Sequence, residues 1–159
     1  YRITPEKKLI EKAAYILEKS QFPVIIAGGG VRASGASKEL LELSENLNIP
    51  VATSLNGKDS IPGNNDLNVG VPGLYSATSA NKAALESDLV FFIGSQTGSQ
   101  LTLNWEIPKK DTKVIQLDID PEGIGKHYPV EIGLVGDAKA TLKILLRIID
   151  KKSSKNRKK

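Results

Sequence analysis

A recurring unit constrains this chain more than any other feature. A short, continuously apolar run breaks into a turn rich in Gly, Asn or Asp, and amphipathic stretches lie between the runs. "PVIIAG" (23–28), "PVATSL" (50–55), "DLVFFIGS" (88–95), "KVIQLDID" (113–120) and "PVEIGLVGD" (129–137) are the clearest cases. Each is too short for an ordinary helix and rich in β-branched or aromatic residues, which predicts buried strands. "LNVGVPG" (67–73) adds a shorter one. The runs are apolar throughout rather than alternating, so both faces of their sheet must be covered, as in parallel sheets.

The intervening stretches have helical spacing. In "TPEKKLIEKAAYILEKS", Leu9, Ile10, Ala13, Ile16 and Leu17 fall on one face, with Thr4 as the predicted cap and Pro5 at the first helical position. "SKELLELSENLN" carries the stripe Leu40, Leu43, Leu47, and "TSANKAALES" reads as a further helix. "DAKATLKILLRIID" closes the pattern, capped by Asp137, with Ala138, Leu142, Leu145 and Ile149 in line. Strand and helix thus alternate. The predicted fold is α/β, a Rossmann-like parallel sheet of about six strands covered by helices on both faces. Ligands of such sheets bind beyond the carboxyl ends of the strands. The loops that matter therefore follow Ala27, Leu55, Ile93 and Ile119.

A chain of 159 residues can bury one full core. Residues 1–150 are expected to form that domain, followed by a basic tail at 151–159. The tail "KKSSKNRKK" holds six Lys or Arg and no acid, so it carries the whole positive balance: the net charge of +4 becomes −2 without it. Such a run reads as solvated charge rather than a nucleic-acid site. Cysteine is absent, which excludes disulfides and thiolate metal sites and fits a cytoplasmic protein. No apolar run approaches the ~20 residues that span a bilayer, and no signal peptide opens the chain. The chain begins without Met and reads as a segment of something longer.

Several stretches could carry chemistry. In "VIIAGGGVRASG", Gly28, Gly30 and Ala33 match the G-x-G-x-x-G/A spacing, with Gly29 between them. That spacing suits a dinucleotide turn, but it also suits a plain strand-to-helix corner. The second strand lacks the acid that would hold a ribose. Asp118 and Asp120 in "LDIDP" supply acids later: either both share one strand face, or Asp120 only caps the turn at Pro121. "GSQTGSQ" places Gly94, Ser95, Gln96 and Gln100 after a buried strand, where they can line a ligand but offer no activated nucleophile. Asp137 and Ala138 open the last helix and are either an anion-docking end or an ordinary cap. His127 has no sequence-local partner and reads as a surface residue; Trp105 reads as packing. No catalytic triad, phosphate-binding lysine loop or metal cluster assembles. From the residues alone this is a binding domain without catalytic apparatus.

The order of the motifs also resembles a known family. "PVIIAGGGVRASGASKELLELSENLNIPVATSLNGKDSIP", "VGVPGLYSATSANKAALESDLVFFIGSQTG", "VIQLDIDPEGIG" and "PVEIGLVGDAKATL" resemble the central domain of thiamine-diphosphate-dependent enzymes, and within them the large subunit of acetolactate synthase. The resemblance runs over residues 1 to 150. It implies a parent subunit of three α/β domains, in which the N- and C-terminal domains hold thiamine diphosphate and Mg between subunits of a homo-oligomer. Their cofactor motifs do not occur here. It implies a Rossmann-like central domain that in several members binds FAD or ADP. Carried over by position, the nucleotide contacts fall on Gly28, Gly29 and Gly30, Ser54 and Leu55, Gly73 and Leu74, Gly94, Ser95 and Gln96, Asp118 and Ile119, and Asp137 and Ala138. Flavin-binding relatives commonly carry Arg where this chain has Gln96, and often another where it has Gln100.

The resemblance therefore implies the central, non-catalytic domain of an acetolactate-synthase-like transferase or lyase acting on 2-keto acids in branched-chain amino acid biosynthesis. No catalytic residue, metal ligand, nucleic acid or membrane is expected for the segment itself. Two alternatives compete with it: a free-standing adenine-nucleotide-binding module, and a structural interaction domain with an empty cleft.

Overall fold

The structure, a computed structural model, describes residues 1–149. The basic tail expected at 151–159 lies outside the described residues. Six strands form one sheet: β1 (Pro23–Ala27), β2 (Val51–Thr53), β3 (Asn68–Gly70), β4 (Leu89–Ile93), β5 (Lys113–Asp118) and β6 (Ile132–Val135). All adjacent pairs are parallel, and their order is β3-β2-β1-β4-β5-β6. The order reverses between β1 and β4, which opens a crevice at their carboxyl ends. Five helices accompany the sheet: α1 (Lys7–Lys19), α2 (Gly29–Ser34), α3 (Ser37–Leu47), α4 (Thr78–Glu86) and α5 (Ala138–Ile148).

Alternation along each strand divides the core in two. Ile25 and Ala27 of β1 and Leu89, Phe91 and Ile93 of β4 face the larger cluster, built with Ile10, Leu17, Leu40, Leu43, Leu142 and Leu145 from α1, α3 and α5. Val24, Ile26, Val90, Phe92 and Val114 face a smaller cluster, where α4 contributes Ala80. The rest of that second face is covered by Leu101, Tyr128 and Val130 from irregular segments. Both faces are covered, but unevenly. The β4–β5 and β5–β6 connections contain a 3₁₀ turn (Pro121–Gly123) and loops instead of α-helices. Gln116, buried on that face, pins the 3₁₀ turn by donating to the Gly123 carbonyl at 2.9 Å and accepting from the Gly125 N–H at 3.0 Å. Satisfying both ends of the amide removes the cost of burying it.

The predicted first helix begins later than its capping signal suggested. It starts at Lys7 after Glu6, with no side-chain cap, so Thr4 does not cap it and Pro5 is not its first residue. The cause is a competing contact. The preceding segment runs past the end of β6, where the Ile3 carbonyl accepts from the Asp137 N–H at 2.8 Å and Pro5 packs over Gly136.

Candidate functional site

The carboxyl ends of β1, β2, β4 and β5 border a cleft of about 710 Å³ at the reversal point. Of the residues predicted to meet a ligand, Gly28, Gly29, Gly30, Ser54, Leu55, Gly94, Ser95, Gln96 and Asp118 line it. Ile119, Asp137 and Ala138 instead border a neighbouring hollow of about 230 Å³, which shares Gly30, Gly94 and Asp118 with the cleft. Gly73 and Leu74 line neither among the residues bordering these two spaces. Gly73 is buried, exchanging hydrogen bonds with the Asn81 amide at 2.7 and 3.3 Å, and the Leu74 N–H donates to the Gln100 carbonyl.

The triple-glycine turn is a corner between two backbones. A Cβ on Gly28 would lie 2.1 Å from the Gly94 carbonyl oxygen, and one on Gly30 would lie 2.7 Å from the Gly94 Cα. The Gly28 N–H donates to the Ile93 carbonyl at 2.8 Å and the Gly30 N–H to the Gly94 carbonyl at 3.0 Å. Glycine is needed here because β1 and β4 leave the sheet in contact. Two of the three glycine amides are already engaged within the fold.

Ser54 Oγ accepts from the Gly57 N–H at 3.1 Å and caps a 3₁₀ turn (Leu55–Ser60). Leu55 is exposed at its head. At the end of β5 the two acids separate by role. Asp118 lines the cleft, with Oδ1 held by the Asp120 N–H at 3.0 Å; Asp120 accepts from the Glu122 N–H at 3.0 Å and caps the turn at Pro121. Asp118 is thus the acid that can accept from a ligand hydroxyl.

Asp137 serves structural ends. Its carboxylate caps α5 by accepting from the Ala140 N–H at 2.9 Å, and both oxygens accept from Arg2 at 2.8 Å. Burial acts to raise its pKa, but the Arg2 guanidinium and the Ala140 N–H outweigh burial and hold it below the ordinary 3.8. A carboxyl depressed in the fold stabilises it above the unfolded pKa, and the contribution disappears as pH falls through the folded value. Asn can still cap a helix but cannot pair with Arg2. The melting-temperature gap between the wild type and Asp137→Asn is therefore expected to narrow as the pH is lowered from 7 towards 3. A gap independent of pH would show that the Arg2 pair contributes nothing.

Sequence reasoning missed several lining residues, including Asn56, Val71, Pro72, Tyr75 and Leu101. Tyr75 is 66% exposed. An exposed aromatic beside "VPG" was the available signal for it. The loop after β4 also departs from expectation. Thr97, Leu103, Asn104 and Trp105 have φ of 51, 51, 54 and 62°, in the left-handed region that costs a non-glycine residue roughly 1–2 kcal/mol. One bond within the loop and one from a distant residue hold it. Trp105 Nε1–H donates to the Thr97 carbonyl at 3.2 Å, and the Tyr128 hydroxyl donates to the Ile107 carbonyl at 2.6 Å. Trp105, expected to pack, is 47% exposed and lies 5.4 Å from the ring of His127. His127 is exposed as expected, yet it has a partner 30 residues away, the Thr97 hydroxyl at 2.9 Å from Nδ1. Among the described residues, no group of three or more His, Asp or Glu side chains is placed to hold a metal ion, and no helix is long and apolar enough to cross a membrane.

Comparison with known proteins gives consistent matches. The family described as "Thiamine pyrophosphate enzyme, central domain" matches residues 10–145. A protein named "Probable acetolactate synthase large subunit" from Methanococcus aeolicus is 41% identical over 151 residues, covering 92% of this chain and 25% of its own. One of the same name from Methanocaldococcus jannaschii is 43% identical over 137 residues, covering 86% of this chain and 23% of its own. An X-ray structure described as "a putative thiamin diphosphate-dependent enzyme isolated from Mycobacterium smegmatis" superposes with a TM-score of 0.77 at 26% identity, covering 99% of this chain and 30% of that one. The chain spans about a quarter of the length of these curated relatives.

Proposed function

The chain belongs to the thiamine pyrophosphate enzyme central-domain family, and from that premise we propose that it works as the non-catalytic central domain of a 2-keto-acid-converting enzyme of acetolactate synthase type. The observation that carries the reading is identity of about 40% to acetolactate synthase large subunits across most of the chain. In this reading the parent decarboxylates a 2-keto acid such as pyruvate and transfers the resulting two-carbon unit to a second carbonyl. It works in the cytoplasm, in branched-chain amino acid biosynthesis, as a homo-oligomer. N- and C-terminal domains flank this one and hold thiamine diphosphate and Mg; the chemistry that cofactor supplies is stabilisation of the carbanion left by decarboxylation. The described residues do not fit it: they offer neither a metal-ligating cluster nor an activated acid–base pair.

What this domain contributes is a rigid parallel sheet with a ligand cleft at its reversal point. The cleft residues Gly28 to Gly30, Ser54, Leu55, Gly94 to Gln96 and Asp118 form its ligand site, for an adenine nucleotide. The fit is poor for a flavin, since Gln96 and Gln100 border the cleft as neutral amides and cannot supply a charge-assisted bond.

Calorimetry tests the non-catalytic assignment. Titration of the chain with thiamine diphosphate and Mg²⁺ is expected to give no saturable heat, and incubation with pyruvate and both cofactors no carboligation product. Saturable micromolar binding would sink the assignment.

A further inference from the structure

We propose that the cleft recognises the nucleoside part of a nucleotide, a planar base joined to a ribose cis-diol, and discriminates against the diphosphate. The inference rests on the reading of the cleft as a nucleotide site and narrows it. Three observations carry it.

The first is charge. Among the described residues, Asp118 is the only charged side chain bordering the cleft, and no Lys or Arg lines it. A diphosphate must give up strong hydration on entry, and a site that replaces that hydration supplies cations or several free N–H groups. Here it would meet a carboxylate instead, which repels it. The nearest arginine on the helix after the glycine turn, Arg32, is not part of the lining. Its guanidinium is drawn to the Asn56 carbonyl at 3.5 Å and to Asp59 at 3.9 Å.

The second is the turn itself. Phosphate-binding turns present backbone N–H groups to the anion. In this corner the Gly28 and Gly30 amides point into β4, bonded to Ile93 and Gly94, and the helix that follows has only six residues. The glycines are accounted for by the closeness of the two strands, without any ligand.

The third is what the cleft does offer. The Asp118 carboxylate stands at the strand end, its Oδ1 fixed by the Asp120 N–H, where vicinal hydroxyls can donate to it. Gln96 and Gln100 are exposed amides that both donate and accept, matching the edges of a base. Leu55 and Tyr75, 58% and 66% exposed, supply apolar and aromatic surface against which a flat base can lie.

The test compares adenosine, 2′-deoxyadenosine and ADP by calorimetry on the full 159-residue chain, with Gln96→Arg as the second protein. Adenosine is expected to bind as tightly as ADP, within about threefold, or more tightly. Removing the 2′-hydroxyl is expected to weaken adenosine at least about tenfold, the loss of a hydrogen bond to a charged acceptor. Gln96→Arg is expected to weaken adenosine, which loses an amide facing the base, and to shift the ratio of ADP to adenosine affinity about fivefold or more towards ADP, because the guanidinium meets the diphosphate. ADP binding about tenfold tighter than adenosine to the wild type would overturn the proposal and leave the nucleotide reading standing. So would an undiminished affinity for 2′-deoxyadenosine, or an unchanged ratio of ADP to adenosine affinity in a folded Gln96→Arg variant. Failure of all three ligands to bind the wild type would overturn both.

Discussion

Gly28→Ala is expected to destabilise the fold by about 3 kcal/mol or more, above the usual cost of one added methyl in a packed core. The added Cβ would meet the Gly94 carbonyl oxygen at 2.1 Å, the Gly94 carbonyl carbon at 2.7 Å and the Ser95 Cα at 2.7 Å. All three are backbone atoms, so no rotamer change relieves the clash. β1 and β4 are the two central strands, paired from Pro23↔Leu89 to Ala27↔Ile93, and separating their ends strains the whole register. Gly98→Ala is the matched control: no heavy atom lies within 4 Å of its added Cβ. It should stay within about 0.5 kcal/mol of wild type. Urea denaturation of both variants checks the pair. A Gly28→Ala protein as stable as the control would mean that the corner is looser than described.

Truncating Phe92 should be comparably damaging, at about 3–5 kcal/mol for Phe92→Ala. Phe92 is fully buried and is the largest side chain of the smaller cluster, among Val24, Ile26, Ala52, Val90 and Val114. Its ring stacks on Tyr128 with centroids 5.7 Å apart. Its neighbours on one side are strand residues fixed by sheet pairing, so they cannot collapse into the space. A loss below about 1.5 kcal/mol in the same denaturation experiment would show that the loops over this face settle into the vacated volume.

The strands were readable because their side chains are buried on both faces, so Val24–Ala27 and Leu89–Ile93 show as unbroken apolar runs. Helices α3 and α5 were readable because one face of each is buried and the opposite faces are polar. The cleft was legible in outline for the same reason: strands that are recognised also have recognisable ends. What stayed hidden depends on contacts distant in sequence. Thr4 and Pro5 look like a helix start, but Ile3 and Arg2 are held at Asp137, over 130 residues away. Gly73 looks like a ligand contact by position, yet its Cβ site is filled by the Gln100 carbonyl oxygen at 1.8 Å. The pairing of His127 with Thr97, and the left-handed backbone that it accompanies, leave no local pattern at all. The order of the strands, on which the cleft depends, is likewise invisible to periodicity.

The uneven covering of the sheet bears on how the molecule opens. Local opening follows the regions with fewest buried apolar contacts and least regular hydrogen bonding. The face under α1, α3 and α5 has three helices interlocked over it. The opposite face has one nine-residue helix and loops that lean on single anchors such as Gln116 and Tyr128. Amides of the loop after β4 should thus exchange with deuterium through small excursions, while those of β1 and α5 wait for global unfolding. The cleft lies across this divide. Its glycine wall is expected to move only on global unfolding and the wall carrying Gln96 and Gln100 to open within the native state, so that a molecule bound in the cleft would enter and leave from that side.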